Sequence, residues 1–476
     1  MKKKNIIKIF LMFIVFLILL IITLPFNEIF NINLELLILL FFIGFISVVE
    51  IVKEVLNRPY SLCLMHWIFI FFFFFLAPFL QSCFNYHPWG IVLTSDENQL
   101  SCIFILIWII CYKIGIFLSK RIFNKRNILY DELGKRNGII DKKSCTKLFL
   151  FFSLVLSLIS AIIIIRDVGL SNLFSRNSYT LTYDGNYSKM SELIIGHCTK
   201  AIITFSFSLN LLYFFQKKDN KFLLLISTLI LLITCFPTGL ARNTAGTIYM
   251  GIFVIFNYKN INKFKNSLKY LLLFVIAFMI VFPAINVFRN LDFTSVKIVD
   301  VLSQTVSSIS ENYLSADYDA YSLIASTIRY VNYHDITYGK QLAGSLFFFI
   351  PRNIWKSKPG GSGQLVFTTL GQKYTNISSP MVAESYINFG IIGVIVFGII
   401  FGYLCACIDC KYWDYIDNNG CDINYLILLY PFLLPSFFFL LRGDWQSTFA
   451  YMCVYILIFY ILLKFKNISI KTSYYK

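Results

Sequence analysis

Residues 384–407, ESYINFGIIGVIVFGIIFGYLCAC, begin with an acid and then run apolar for the length of a membrane crossing. A helix rises about 1.5 Å per residue, so about twenty apolar residues cover a hydrocarbon core of ~30 Å. Comparable stretches lie near 6–24, 33–52, 62–82, 98–118, 147–166, 194–215, 222–237, 244–258, 270–288, 424–441 and 447–465. Together they predict an all-α, polytopic membrane protein with about twelve transmembrane helices. The composition agrees, since the 476 residues are 58% hydrophobic and only 14% charged, with a mean hydropathy of +0.70. Soluble globular domains lie far from those values. Phe71 to Phe75 form an unbroken run, read here as lipid-facing bulk because aromatic side chains cost nothing in hydrocarbon.

The apolar stretch behind Met1-Lys-Lys-Lys is too long for a signal peptide and has no small-residue cleavage site, so it is read as the first membrane helix. The twelve cysteines fall mostly inside helices or on the cytoplasmic side and imply no disulfide framework. Cys405, Cys407, Cys410 and Cys421 cluster without paired zinc spacing and read as unligated thiols.

Orientation follows from the cations in the short connections. Lys2, Lys3 and Lys4, Lys53 with Arg58, the 119–146 connection, Lys217 with Lys218 and Lys221, and the 259–269 connection make every second loop basic. Basic loops stay in the cytoplasm, which puts both termini there. The 409–424 connection fits least well, because Asp409, Asp414, Asp417 and Asp422 outweigh Lys411. Acids carry little weight in this rule. The net charge of +17 therefore reads as topology setting and attraction to anionic lipid, and calls for no nucleic-acid partner.

Arginine is distributed in the opposite way to lysine. Arg166, Arg176, Arg242, Arg289, Arg329, Arg352 and Arg442 fall at or beyond the outer ends of helices. The planar guanidinium fork grips phosphate through two parallel bonds, whereas lysine acts as a point charge. An outward set of arginines predicts a phosphorylated ligand in the outer leaflet.

The connection from 289 to 383 is far longer than an ordinary loop and divides the chain into 1–288, 289–383 and 384–476. Within it Ile298, Val301, Leu302, Val306, Ile309 and Tyr313 recur at helical spacing, as do Tyr321, Ile324, Ile328 and Val331. Both sets predict amphipathic helices lying on the membrane surface. QLAGSLFFFI (341–350) is too short to span and is expected to dip in and return. That would hold Arg352, Lys356 and Lys358 at headgroup depth beside a Pro-Gly-Gly-Ser-Gly turn whose backbone can approach an anion closely.

TGLARNTAG (238–246), IPRNIWKSKPGGSG (350–363), SPMVAESYINFGIIGVIVFGIIFGYL (379–404) and LRGDWQ (441–446) resemble the O-antigen polymerases of the Wzy type. In motif the resemblance covers about residues 239–446, and in architecture most of the chain. Arg352 followed by ten residues and Gly363 is similar to an arginine-x10-glycine pattern of that family's periplasmic loops; Arg176 is followed at that distance by Tyr187, so no second copy is present.

The resemblance implies a GT-C-like membrane glycosyltransferase in the bacterial inner membrane, active at the periplasmic face; the residues themselves suggest no cofactor or metal site. Its donor and acceptor would be undecaprenyl-pyrophosphate-linked glycans, and its partners membrane lipid, a flippase and a chain-length regulator. An O-antigen ligase and a lipid-linked oligosaccharide flippase are the rival readings; no internal repeat of the transporter kind is found.

Breaking a glycosyl pyrophosphate builds negative charge on the leaving group, and Arg242, Arg289, Arg352 and Arg442, with Lys356 and Lys358, are the candidates to hold it. The acceptor hydroxyl needs a general base, for which Glu384 and then His334 are the candidates. Arg176, His197, Lys200 and Gly363 are candidates for substrate contact, with Glu192 near His197 and Lys200. Asp317 and Asp319 resemble an Asp-x-Asp metal motif, but two residues apart on a helix they diverge.

Overall fold

The computed structural model describes residues 33–132, 147–170, 173–174, 189–217, 219–256, 313–372, 374, 377–419 and 423–473. The expected crossings at 6–24 and 270–288, the 298–309 part of the first amphipathic segment, Arg176, Arg289 and Cys421 lie outside them. Nine helices among the described residues are long and apolar enough to cross a membrane. The chain divides into two compact units, one formed by 1–124, 261–409 and 437–448, the other by 125–260, 410–436 and 449–476.

In the first unit, α1 (Leu34–Asn57) starts at Asn33, whose side chain accepts from the Glu35 N–H. α2 (Leu62–Cys83) starts at Ser61, whose hydroxyl accepts from Leu64 N, and the Asp409 carboxylate accepts from Leu62 N and Cys63 N at 2.8 and 3.0 Å. An acid at a helix start satisfies orphan N–H groups and complements the dipole. The expected 409–424 connection is corrected here: helix continues through Asn419, and Asp409 is a buried cap.

The phenylalanine run also departs from expectation. Residues 70–76 of α2 form a π-helical turn, and Phe71 to Phe75 are all buried. Phe73 stacks on Tyr318 and meets Phe438 edge-on, while the Phe75 ring lies where α1 has Gly44, whose Cβ would stand 2.7 Å from it. A helix apolar on every side is the one that other helices surround. The run forms protein interior, not lipid-facing bulk.

α3 (Ser95–Glu132) and the first part of α11 (Met381–Asn419) pack backbone to backbone. A Cβ on Gly398 would meet Cys111 Cβ at 2.8 Å, and one on Gly402 would overlap Tyr112 O. Small residues four apart allow helices in a membrane to approach this closely.

Between these spans stand the shorter helices α8 (Ala320–His334), α9 (Lys340–Leu346) and α10 (Ser362–Thr369). The helical spacing in Tyr321, Ile324 and Ile328 is realised in α8, but the expectation of a surface helix is corrected. Every residue from Ala320 to Ile328 is buried, and Ser322, Ser326 and Thr327 satisfy their hydroxyls on carbonyls three or four residues back. Leu323 and Tyr330 join Ile91, Val366, Phe367, Ile377 and Ile387 in one apolar cluster. Burial on every side from Ala320 to Ile328 leaves that stretch no face for lipid, while Asn332, Tyr333 and His334 at the helix end are exposed.

The second unit contains α4 (Lys147–Val168), α5 (Lys189–Lys217), α6 (Lys221–Thr234) and α7 (Arg242–Phe256). Asn220 donates to Asn210 O at 3.0 Å, tying α6 to α5. α12 (Tyr425–Arg442) brings the Phe432 ring against Gly251 of α7, and Thr247 and Ser436 hydroxyls meet at 3.4 Å. The last helix, α13, is Trp445–Ser473.

Candidate functional site

The site is built where the start of α11 meets the turn between α12 and α13 in the first unit. A Cβ on Gly443, which has φ +77°, would overlap Ser379 O, so only glycine lets the two chains pass. Trp445 Nε1 lies 2.8 Å from Met381 Sδ. This apposition brings the Arg442-Gly443-Asp444 turn alongside Ser378, Ser379 and Glu384.

Glu384 is 4% exposed. Its Oε2 accepts from Ser362 Oγ at 2.6 Å. The Ser379 hydroxyl and the Trp445 N–H stand near the carboxylate, but Oε1, also buried, closes a hydrogen bond with neither, nor with any other described residue. Ser362 is the first residue of α10, so the glycine turn 359–363 delivers a hydroxyl to the carboxylate. Asp444 is the other acid beside it. Asp444 caps α13, accepting from Gln446 N at 3.1 Å and Ser447 Oγ at 3.0 Å, and its burial pushes its pKa up.

The glycines serve packing. A Cβ on Gly361 would stand 2.9 Å from Asp444 Oδ1, and one on Gly363 would stand 2.6 Å from Ile377 O and still closer to Ser378 O. The missing side chain of Gly363 lets α10 lie against residues 377–378.

The outward arginines differ in what their forks already hold. Arg329 places Nε and Nη2 on the two Glu97 oxygens, both at 2.6 Å, and Nη2 also donates to Val92 O at 2.7 Å. That pairing raises its pKa and makes it a strut between α8 and the start of α3. Arg166 is occupied by its neighbour Asp167 at 3.1 Å.

Arg442 uses only Nη2, toward Asp319 Oδ1 at 3.3 Å and Ala316 O at 3.4 Å; its buried Nε has no partner among the described residues. A buried donor without an acceptor is costly unless something else occupies it. Arg352 is exposed and uses Nη1 on Lys358 O at 2.8 Å. Among the described residues, Arg442 and Arg352 thus leave part of their forks unfilled.

Lys358 is buried and its ammonium donates to Phe348 O at 2.6 Å and Ile350 O at 2.9 Å, fastening the turn after α9. Burial, then the Arg352 charge, lower its pKa. Lys356 is exposed. His334, the last residue of α8, is exposed and faces the Tyr330 ring at 5.3 Å.

Arg242, His197 and Lys200 belong to the second unit. Arg242 opens α7, and His197 stacks on Tyr451 with ring centroids 3.7 Å apart. Arg176 and Arg289, and the side chain of Glu192, lie outside what the structure describes.

Sequence reasoning missed Ser362, Asp444 and Asp319 as members of this cluster. For Asp444 a signal existed, since Asp before Trp-Gln-Ser and an apolar run is a helix-start pattern. For Ser362 and Asp319 none existed, because each is placed by a partner at least 22 residues away.

Comparison with curated proteins and with solved structures gives no match. The family model for O-antigen polysaccharide polymerase Wzy matches residues 6–472, nearly the whole chain. The chain therefore belongs to the Wzy family of O-antigen polysaccharide polymerases, multi-pass helical membrane enzymes that join lipid-linked oligosaccharide repeat units.

Proposed function

We propose that polymerisation takes place at the first unit's cluster of Glu384, Ser362, Asp444 and Arg442, facing the periplasm from the bacterial inner membrane, with both termini cytoplasmic. The donor is a glycan on undecaprenyl pyrophosphate and the acceptor a second lipid-linked repeat unit. A flippase supplies repeat units and a chain-length regulator acts on the product, which is O-antigen or a related surface polysaccharide.

Glu384 is the general base in this reading. The acceptor hydroxyl gives its proton to a Glu384 oxygen, its oxygen bonds the donor's anomeric carbon, and the anomeric carbon–phosphate oxygen bond breaks. The electron pair leaves with the pyrophosphate, whose growing charge Arg442 and Arg352 neutralise; Lys356 adds long-range attraction. Arg289 remains a candidate for the same anion, and Gly363 for the glycan. A positioned base contributes about 10²–10⁴ in rate, and removal of one preorganised donor to a developing anion costs about 10²–10³.

The observation that carries the reading is a buried carboxylate with one oxygen unpartnered among the described residues, next to a turn whose arginine has a likewise unpartnered Nε. Reconstitution of the purified protein in vesicles with lipid-linked repeat units tests it. Polymer formed by the wild type and not by Glu384→Gln supports the assignment; normal polymer from Glu384→Gln moves the base to His334.

A further inference from the structure

The acid at 319 sits in the Asp-x-Asp pair that resembles a metal motif, yet its carboxylate is fully engaged by protein. Oδ2 accepts from Trp89 Nε1 at 2.9 Å, and Oδ1 accepts from Ser378 Oγ at 3.0 Å and from Arg442 Nη2 at 3.3 Å. The side chain is 1% exposed. Three donors from three separate segments therefore converge on two oxygens of one buried carboxylate.

We infer that Asp319 is a positioning residue for substrate binding: it holds Arg442 by one end so that the Nε edge of the guanidinium points at an anionic, pyrophosphate-class group of the lipid-linked substrate. The inference rests on the proposed role of Arg442. Its geometry is that of a bracket. Trp89, before α3, and Ser378, before α11, fix the carboxylate without being charged, and the carboxylate in turn fixes the arginine. Arg329 shows the alternative, a fork filled by both carboxylate oxygens with no edge left over. At Arg442 the single-ended hold leaves the Nε donor for a ligand.

An amide cannot replace this carboxylate. It offers one accepting oxygen and two donors, so in either orientation its NH₂ group would face Trp89 Nε1 or the Arg442 and Ser378 donors. Asp319→Asn should therefore raise KM for the lipid-linked repeat unit and the inhibition constant of inorganic pyrophosphate, each by about tenfold. The double variant Trp89→Phe with Ser378→Ala keeps both charges and removes the two neutral donors, while a ring remains at 89 against Phe367 and Tyr374; it should raise the same two quantities by a smaller factor.

The experiment measures turnover and pyrophosphate inhibition for the full chain in vesicles, with thermal unfolding of each variant in detergent. Raised inhibition constants in variants that unfold at the wild-type temperature support the inference. Wild-type KM and inhibition constants in a folded Asp319→Asn overturn it. Should that variant fail to insert, the double variant decides: a folded protein with wild-type constants equally overturns the bracket. Arg442→Ala is run alongside. If it leaves pyrophosphate inhibition unchanged, the anion-binding role of Arg442 fails; if it abolishes inhibition while the Asp319 variants do not alter it, only the positioning role fails.

Discussion

Ser362 Oγ lies 2.6 Å from Glu384 Oε2, and both groups are buried. This one bond connects the glycine turn 359–363 to the acid in the first turn of α11. The hydroxyl donates, so it occupies one carboxylate oxygen and fixes which one remains for a substrate proton.

Ser362→Ala should slow polymer formation by about tenfold, the worth of a hydrogen bond to a charged group, while Glu384→Gln should slow it by at least about 10². Product ladders from reconstituted vesicles check both. Loss of activity in neither variant removes Glu384 from the mechanism.

Arg442→Ala and Arg352→Ala should each insert normally but leave mostly single repeat units on the acceptor. Arg352→Lys should restore little activity, because one ammonium cannot reproduce the planar fork. Chain-length analysis of surface glycan in complemented cells is the readout, and full length from the lysine variant would mean that simple charge suffices.

Arg329→Ala should behave differently, since it leaves Glu97 without its bidentate partner. Stability should fall on the order of 2 kcal/mol, the partial exposure of the pair reducing the full cost of an orphaned buried charge. KM for the repeat unit should stay at the wild-type value in protein that remains folded. A raised KM with unchanged unfolding temperature would move Arg329 into the binding site.

Asp444 predicts a pH dependence of stability. Burial raises its folded-state pKa above the unfolded value, so the folded state binds the proton more tightly. Stability from this group is fully present below the unfolded-state pKa and is lost as pH rises through the raised folded-state pKa. Asp444→Asn keeps a good helix cap and removes the charge. Its unfolding temperature, measured in detergent in mildly acidic and mildly basic buffers, should vary less between the two than the wild type's.

Gly363→Ala tests the packing of the glycine turn. The added methyl would overlap the carbonyls of Ile377 and Ser378, pushing α10 outward and drawing Ser362 from Glu384. Turnover should fall about as far as in Ser362→Ala. Wild-type turnover would mean that the turn adapts without moving the hydroxyl.

Apolar length determined the membrane class and most spans directly from sequence: 33–52, 62–82, 98–118, 147–166, 194–215, 222–237, 384–407, 424–441 and 447–465 each lie within or close to a helix long enough to cross. Length and transfer energy are local properties, summed along the chain, and so is the helical spacing that gave α8. What surrounds a helix is not local. The phenylalanine run and α8 looked like lipid-facing and surface elements by composition, yet the run and residues 320–328 of α8 are interior, because neighbours from distant segments cover them.

The same distinction governs the site. Glu384, Arg442 and Arg352 were legible as charges at apolar boundaries, where isolated charge is costly and tends to have a use. Only the tertiary structure decided which arginine forks are already filled, since Glu97 lies 232 residues from Arg329 and Asp319 lies 123 from Arg442. Hydrogen-bond valence is settled by what folding brings within about 3 Å, and no spacing rule along the chain carries that information.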